Sequence, residues 1–241
     1  MKLHYDFDPI LLRGIHFLIV LCFPLLAGAG AITATVHLID LPYWSYQHLP
    51  ADAYGWSHEQ RLILAGETLG YLRGNQPTAE AIQLLEALAL PEDVEERLYN
   101  DRELAHMRDV KEIVDVALNI CTSLMVLTLL GLIVIALYQP YLLSKVALQS
   151  GWWSLMLGGS VGGVIWCFWD WFFITFHELL FPVGSYTFEW TDSLIRLFPP
   201  QFWMDSAISI VGMAMLGSIF LIVIGEATNK TEAVSANRKF S

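Results

Sequence analysis

Apolar residues run in four long blocks along the chain, at roughly 15–38, 113–137, 152–176 and 207–225. Each meets the requirement of about 20 mainly apolar residues for a helix that crosses a bilayer. Two of them carry a formal charge, Asp115 near the start of the second and Asp170 in the third. Between the first and second blocks the pattern changes: residues 39–112 are polar, with apolar positions recurring at helical spacing. Ser57-His-Glu-Gln60 reads as a capping box, with Leu62, Ile63, Leu69 and Leu72 as the stripe behind it. Thr78 restarts a helix after Pro77, using Ile82, Leu85, Leu88 and Leu90. Pro91-Glu92-Asp93 is expected to start another, running through Leu98 and Leu104 towards the second block.

The expected fold class is therefore all-α: a four-transmembrane-helix bundle with a small helical extracytoplasmic domain between the first and second spans. Residues 1–14, 138–151 and 226–241 become the N-terminus, a loop and the tail on one side of the membrane. Residues 177–206 become an interfacial loop on the other, and the tail from Thr228 is expected to lack structure. A cleavable signal peptide is the competing reading of the first block, because Leu26-Ala-Gly-Ala-Gly-Ala31 offers small residues. The apolar run continues through Ile32, Val36 and Leu38, too long for a signal core, so a retained helix is expected. In the third block, Gly158-Gly-Ser-Val-Gly-Gly163 contains two overlapping G-x-x-x-G spacings suited to close helix packing.

Composition agrees with a membrane setting: 55% of the 241 residues are hydrophobic and 15% charged, against about 25% charged in a soluble domain. Thirteen Lys and Arg oppose 24 Asp and Glu, a formal net charge of −11, which excludes a general nucleic-acid binder. Cys22, Cys121 and Cys167 all lie in apolar runs, leaving no disulfide framework and no thiolate metal site. Sorted by side, Lys2, Arg13, Lys145, Lys230, Arg238 and Lys239 outweigh Asp6, Asp8, Glu226 and Glu232 by +2. With Asp170 set aside, the opposite side carries −12. The positive-inside rule puts both termini in the cytoplasm and the acidic segment outside.

Of seven histidines, His4, His16, His37, His48 and His58 read as surface or interfacial residues. His106 and His177 differ. One precedes the second span and the other follows the third, so both face one side of the membrane, 71 residues apart in sequence. Glu103 and Asp109 lie three residues before and after His106, on a shared helical face. A carboxylate on one ring nitrogen would fix the tautomer and raise the basicity of the other. The plainer reading pairs these acids with Arg102, Arg108 and Lys111. Arg196 is a candidate for neutralising a phosphate or carboxylate, against simple pairing with Glu189 or Asp192. Asp170 lies seven residues before His177 on the same helical face, where an acid at membrane depth reads as functional. His177-Glu178-x-x-Phe181 lacks the second His of a zinc protease, and no G-x-S-x-G elbow, P-loop or dinucleotide fingerprint occurs. Glu103-x-x-His106 matches half of a di-metal carboxylate bundle, with no second such pair.

These motifs resemble a known family. Four spans, an outward domain after the first, Glu-x-x-His-x-x-Asp-Val at 103–110, Phe-His at 176–177 and Leu194-Ile-Arg-Leu-Phe-Pro199 followed by Phe202 are similar to the Lit-type lipoprotein intramolecular transacylases. The loop Gly184-Ser-Tyr-Thr-Phe188 departs from the Trp-containing version of that family. The resemblance implies an acyltransferase of the bacterial plasma membrane that moves the sn-2 acyl chain of a diacylglyceryl-Cys onto its α-amine, producing lyso-form lipoprotein. It implies His106 and His177 as catalytic residues, with no cofactor and no metal. The implied partners are diacylglyceryl-modified lipoproteins and membrane lipid, acted on by a monomer with its site facing outward. His106 is expected as the base and His177 as the acid or tetrahedral-intermediate stabiliser, with the reverse assignment open; Glu103 or Asp109 would orient His106, and Arg196 or a backbone N–H would help the oxyanion. A metal-assisted membrane hydrolase and a non-enzymatic membrane scaffold are the competing classes.

Overall fold

A computed structural model of the protein describes residues 8–38 and 41–238, with the side chains of 36, 38, 41–43 and 232–238 left aside. Lys2, His4, Asp6 and Lys239 lie outside the described residues. Within them the chain is all-helical: α1 Pro9–Leu38, α2 Leu41–Tyr46, α3 His58–Arg73, α4 Thr78–Glu86, α5 Asp101–Tyr138, α6 Leu142–Cys167, α7 Trp169–Leu180, α8 Ser193–Leu197 and α9 Pro200–Arg238. Three helices, α1, α5 and α9, are long and apolar enough to cross a membrane. A fourth span exists if α6 and α7 are counted together, although they are bent by 112° at Phe168.

Local chemistry explains the helix starts. Asp8 accepts the Ile10 N–H (2.8 Å), and Pro9 fills the first position, where no N–H is required. Ser57 and Gln60 make the expected reciprocal capping box at α3. Several boundaries differ from the sequence pattern; α6 begins at Leu142, inside the expected 138–151 loop, and α9 at Pro200, inside the expected 177–206 loop. Residues 91–96 are not helical; Leu88 and Leu90 pair across a turn with Leu98 and Glu96, so α5 starts only at Asp101. The third apolar block is split, because α6 ends at Cys167 and α7 sets off in a new direction. The tail is also more ordered than its composition suggests, with α9 continuing to Arg238.

The chain divides into two compact units. One comprises the stretch ending at Ala31, Asn119–Gly163 and the chain from Ile210. Its buried centre is Leu12, Ile19, Ile135, Leu142 and Val146, contributed by α1, α5 and α6. Here α6 and α9 approach closely across glycines. A Cβ on Gly151 would lie 2.8 Å from the Ser218 carbonyl oxygen, and one on Gly225 would lie 3.0 Å from the Leu148 nitrogen. Only one of the two G-x-x-x-G spacings packs this way: Gly158 and Gly162 face Met215 and Val211, while Gly159 and Gly163 have open space.

The second unit, Ile32–Leu118 with Val164–Ser209, has its own core. Tyr46, Trp56, Tyr71, Leu85, Leu98, Tyr99, Leu104, Leu197 and Phe202 are among its buried members. Their polar tips are all satisfied: the Tyr71 hydroxyl donates to Met107 O (3.0 Å), the Tyr99 and Thr68 hydroxyls meet at 2.6 Å, and the Tyr46 hydroxyl donates to Leu197 O. Such tips must find partners when the ring is buried.

Because backbone lies opposite Gly151, replacing it with Ala should cost about 1–3 kcal/mol through overpacking. Gly159→Ala, facing open space, should be neutral or stabilising by up to about 1 kcal/mol from helix propensity. Thermal unfolding of both variants in one detergent separates these outcomes.

Candidate active site

All the residues brought together here belong to the second unit. The apolar part of α5, 113–137, is by itself long enough to span. The charged turns at 101–112 precede it, and His106 lies in them. Asn100 caps this helix: its side-chain oxygen accepts the N–H groups of Arg102 (3.1 Å) and Glu103 (3.0 Å). Glu103 returns the bond by accepting the Asn100 N–H at 2.8 Å, completing a capping box. Its other oxygen accepts the Leu194 N–H at 2.7 Å, at the start of α8. Glu103 is 1% exposed. Burial pushes its carboxyl above the usual range, partly offset by these two amides.

One turn further on, His106 is 6% exposed. Its ring lies 6.3 Å from that of His177, nearly parallel at 22°. Phe181 and Phe188 pack on it at 4.8 and 5.3 Å. Its Nδ1 is buried without a hydrogen-bond partner, which leaves Nε2 as the nitrogen that can meet a substrate. His177, near the end of α7, is held differently. Its Nδ1 lies 2.7 Å from the Phe173 carbonyl oxygen one turn back, so Nδ1 carries the proton and Nε2 presents a lone pair. Phe173, Tyr186, Phe176 and Phe181 surround this ring at 4.2–5.5 Å.

The structure therefore brings His106 and His177 together but assigns their neighbours other tasks. Glu103 does not orient His106; both of its oxygens are taken by backbone amides. Asp109 is half-buried, and among the described residues no hydrogen bond or ion pair joins it to His106. Arg196 pairs with Asp52, through bonds of 3.2 and 2.9 Å, and its guanidinium lies 3.3 Å over the Trp56 ring. Both side chains are buried, at 8% and 3% exposure. Burial alone would raise the Asp52 carboxyl, but Arg196 and the Trp56 and Tyr54 amides outweigh it and hold it below its ordinary value. Asp192 meets Arg102 (2.7 Å) and Asn100 (2.9 Å) instead of Arg196. Asp170 is exposed in the first turn of α7, where a negative charge complements the helix dipole. Among the described residues no three of His, Cys, Asp and Glu are grouped to hold a metal ion, so Glu103, His106, Asp109 and His177 do not form a cluster.

Asn100-x-x-Glu103 carries the local signature of a capping box. Phe173 falls in the third apolar block, and Phe181 and Phe188 in the expected 177–206 loop, with no local pattern that marks them as neighbours of the imidazoles. Asp52, 144 residues from Arg196, gave no sequence signal.

An all-helical chain with membrane-length apolar helices and two juxtaposed imidazoles is a membrane protein with a site suited to proton transfer. The family model for the lipoprotein intramolecular transacylase Lit matches residues 17–203, and the chain belongs to that family. An uncharacterized protein of Aquifex aeolicus (strain VF5) is 26% identical over 213 residues, spanning 88% of this chain and 93% of that protein. The fold is similar to the in meso structure of the membrane-integral lipoprotein intramolecular transacylase Lit from Bacillus cereus. That match has a TM-score of 0.77 at 21% identity and covers 94% of this chain and all of that one. A Bacillus cereus structure with one histidine replaced by alanine matches with a TM-score of 0.74 at 20% identity, over 93% of this chain and 96% of that one.

Burial, reinforced by the neighbouring His177, holds the His106 imidazole down at about 4. An unfolded His takes up its proton near 6.5, so between about 6.5 and 4 the unfolded chain binds more protons than the folded one. Stability must then fall as pH drops through that window and be fully present above it. His106→Gln should flatten the slope of melting temperature against pH between about 6.5 and 4; an unchanged slope would show that His106 is not its source.

Proposed function

We propose that the protein moves the sn-2 acyl chain of a bacterial lipoprotein's diacylglyceryl-Cys from the glycerol oxygen to the α-amine of that Cys. The site faces the extracytoplasmic side of the membrane. Family membership supplies the reaction class, and the observation that carries the mechanism is the stacked pair of imidazoles at 6.3 Å. Conversion of an ester to an amide is downhill and needs no nucleotide. With donor and acceptor on one molecule, orientation supplies much of the acceleration.

Of the two assignments the sequence leaves open, the geometry supports the one with His177 as base. His177 has its Nδ1 proton committed to the Phe173 carbonyl, so its Nε2 is the base. As the amine attacks the ester carbonyl, Nε2 takes one proton from nitrogen and later returns it to the departing glycerol oxygen. The C–N bond forms, the C–O bond breaks, and His177 ends as it began. His106 stays neutral at physiological pH and acts as a hydrogen-bond donor through Nε2 to the carbonyl oxygen as that atom gains charge. A neutral imidazole is well matched to this task in a dry site. Arg196, tied to Asp52, takes no part. Glu103 acts only by fixing the turn that carries His106.

Mass spectrometry of lipoprotein N-terminal peptides, from cells with and without the protein, tests the reading. The acyl chain should sit on the amine only when the protein is present. His106→Ala and His177→Ala should each lower that conversion by about 10²–10⁴-fold. Unchanged conversion in both would favour a scaffold.

The pH profile offers a separate check. The substrate α-amine, with a reference pKa near 8, should dominate the rise in rate with pH, because His106 is already neutral above about 4. An inflection near 6.5 that disappears in His106→Gln would contradict this assignment.

A further inference from the structure

An ester activated beside a basic imidazole has two acceptors within chemical reach, an amine and water. Attack by water would release free fatty acid and leave a lyso-lipid with its amine unmodified. A transacylase must suppress that outcome, and one residue is placed to do so. The residues beside Phe181 are exposed: Leu180 and Pro182 flank it, and Val183 is 94% exposed. Pro182–Ser185 forms a turn, closed by bonds from the Ser185 N–H (3.1 Å) and hydroxyl (2.9 Å) to the Pro182 carbonyl. Gly184, at φ +85°, supplies its left-handed position. Phe181 itself points inward and is only 8% exposed.

Among the described residues Phe181 is the aromatic side chain packed on both imidazoles, at 4.8 Å from His106 and 5.5 Å from His177. Its backbone is pinned by its own N–H bond to the His177 carbonyl (2.9 Å). Phe188 closes a second side of His106 edge-on. The two rings leave His106 nearly sealed, while His177 remains half-exposed.

Resting on the acyl-transfer reading above, we infer that Phe181 determines which acceptor receives the acyl group, by keeping water out of the space between the two imidazoles. With the ring present, the amine tethered to the ester is the acceptor, and its proton passes through His177 to the glycerol oxygen. With the ring removed, water enters. Its oxygen bonds to the carbonyl carbon, the ester C–O bond breaks, one water proton goes to the glycerol oxygen and the other leaves with the fatty acid. Exclusion of water from a closed site suppresses this kind of side reaction.

The full-length protein in detergent, a synthetic diacylglyceryl-Cys lipopeptide and ¹⁸O-labelled water provide the test, read by mass spectrometry. Wild type should give N-acyl peptide with little labelled fatty acid. Phe181→Ala should raise the ratio of labelled fatty acid to N-acyl peptide by about tenfold or more, and Phe181→Leu, which keeps an apolar plug, should restore the wild-type ratio. If Phe181→Ala does not fold, Phe188→Ala opens the other side of His106 without touching the end of α7, and should shift the ratio in the same direction. A wild-type ratio in whichever of the two variants folds overturns the inference and leaves the transacylase reading standing. So does loss of both products in a folded Phe181→Ala, which would make the ring part of the transfer itself. If wild type gives labelled fatty acid as its main product, both the inference and the transacylase reading fall.

Discussion

A single buried carboxylate holds the start of two helices. One Glu103 oxygen accepts the Asn100 amide and the other accepts the Leu194 amide, so the first turn of α5 and the first turn of α8 are fixed to the same side chain. Each helix start leaves backbone N–H groups without intrahelical partners, and burying those groups unpaired would cost about 1–3 kcal/mol apiece. Glu103 removes two of them with one residue. The cost is the burial of a charged group, visible as a carboxyl pushed towards its protonated form. His106 sits one turn beyond this anchor, and its position follows from it.

A second buried charge does related work between more distant parts of the same unit. Arg196, on α8, is paired with Asp52 in the stretch before α3 and sandwiched against Trp56. The Arg196 carbonyl meanwhile accepts two bonds from Arg61 on α3. The five-residue helix α8 is thus held at its N-terminus by Glu103 and near its C-terminus by two arginines. A helix that short has little stability of its own; it exists because its ends are bonded elsewhere. Removing one partner of a buried ion pair leaves the other charged and unpaired, which makes such pairs sensitive to substitution even when their net contribution is small.

Hydrophobic periodicity carried most of the architecture. The four apolar blocks, the capping box at Ser57 and the restart at Thr78 were readable because each is a local pattern. The stop at Cys167 was not, since nothing in Trp166-Cys-Phe-Trp-Asp170 is a helix breaker; the bend is a tertiary outcome. Residues 91–96 misled for the opposite reason. Pro followed by two acids is a sound helix-start signal, but the backbone there turns back, with the Glu96 carbonyl accepting the Leu90 N–H and the Leu98 N–H donating to Leu88. At the site, topology alone placed His106 and His177 on one side of the membrane. The Leu194 partner of Glu103 and the Asp52 partner of Arg196 lay beyond reach, because each is more than 90 residues away in sequence.

The hydrogen bond that sets the His177 tautomer has an unusual kind of durability. Its acceptor is a main-chain carbonyl of the preceding helical turn, so no side-chain replacement at position 173 can delete it. Residue 173 is free to change in size or polarity, within the packing around the ring, while the proton on Nδ1 stays where it is. The direction in which the His177 ring presents Nε2 is therefore inherited from the helix itself.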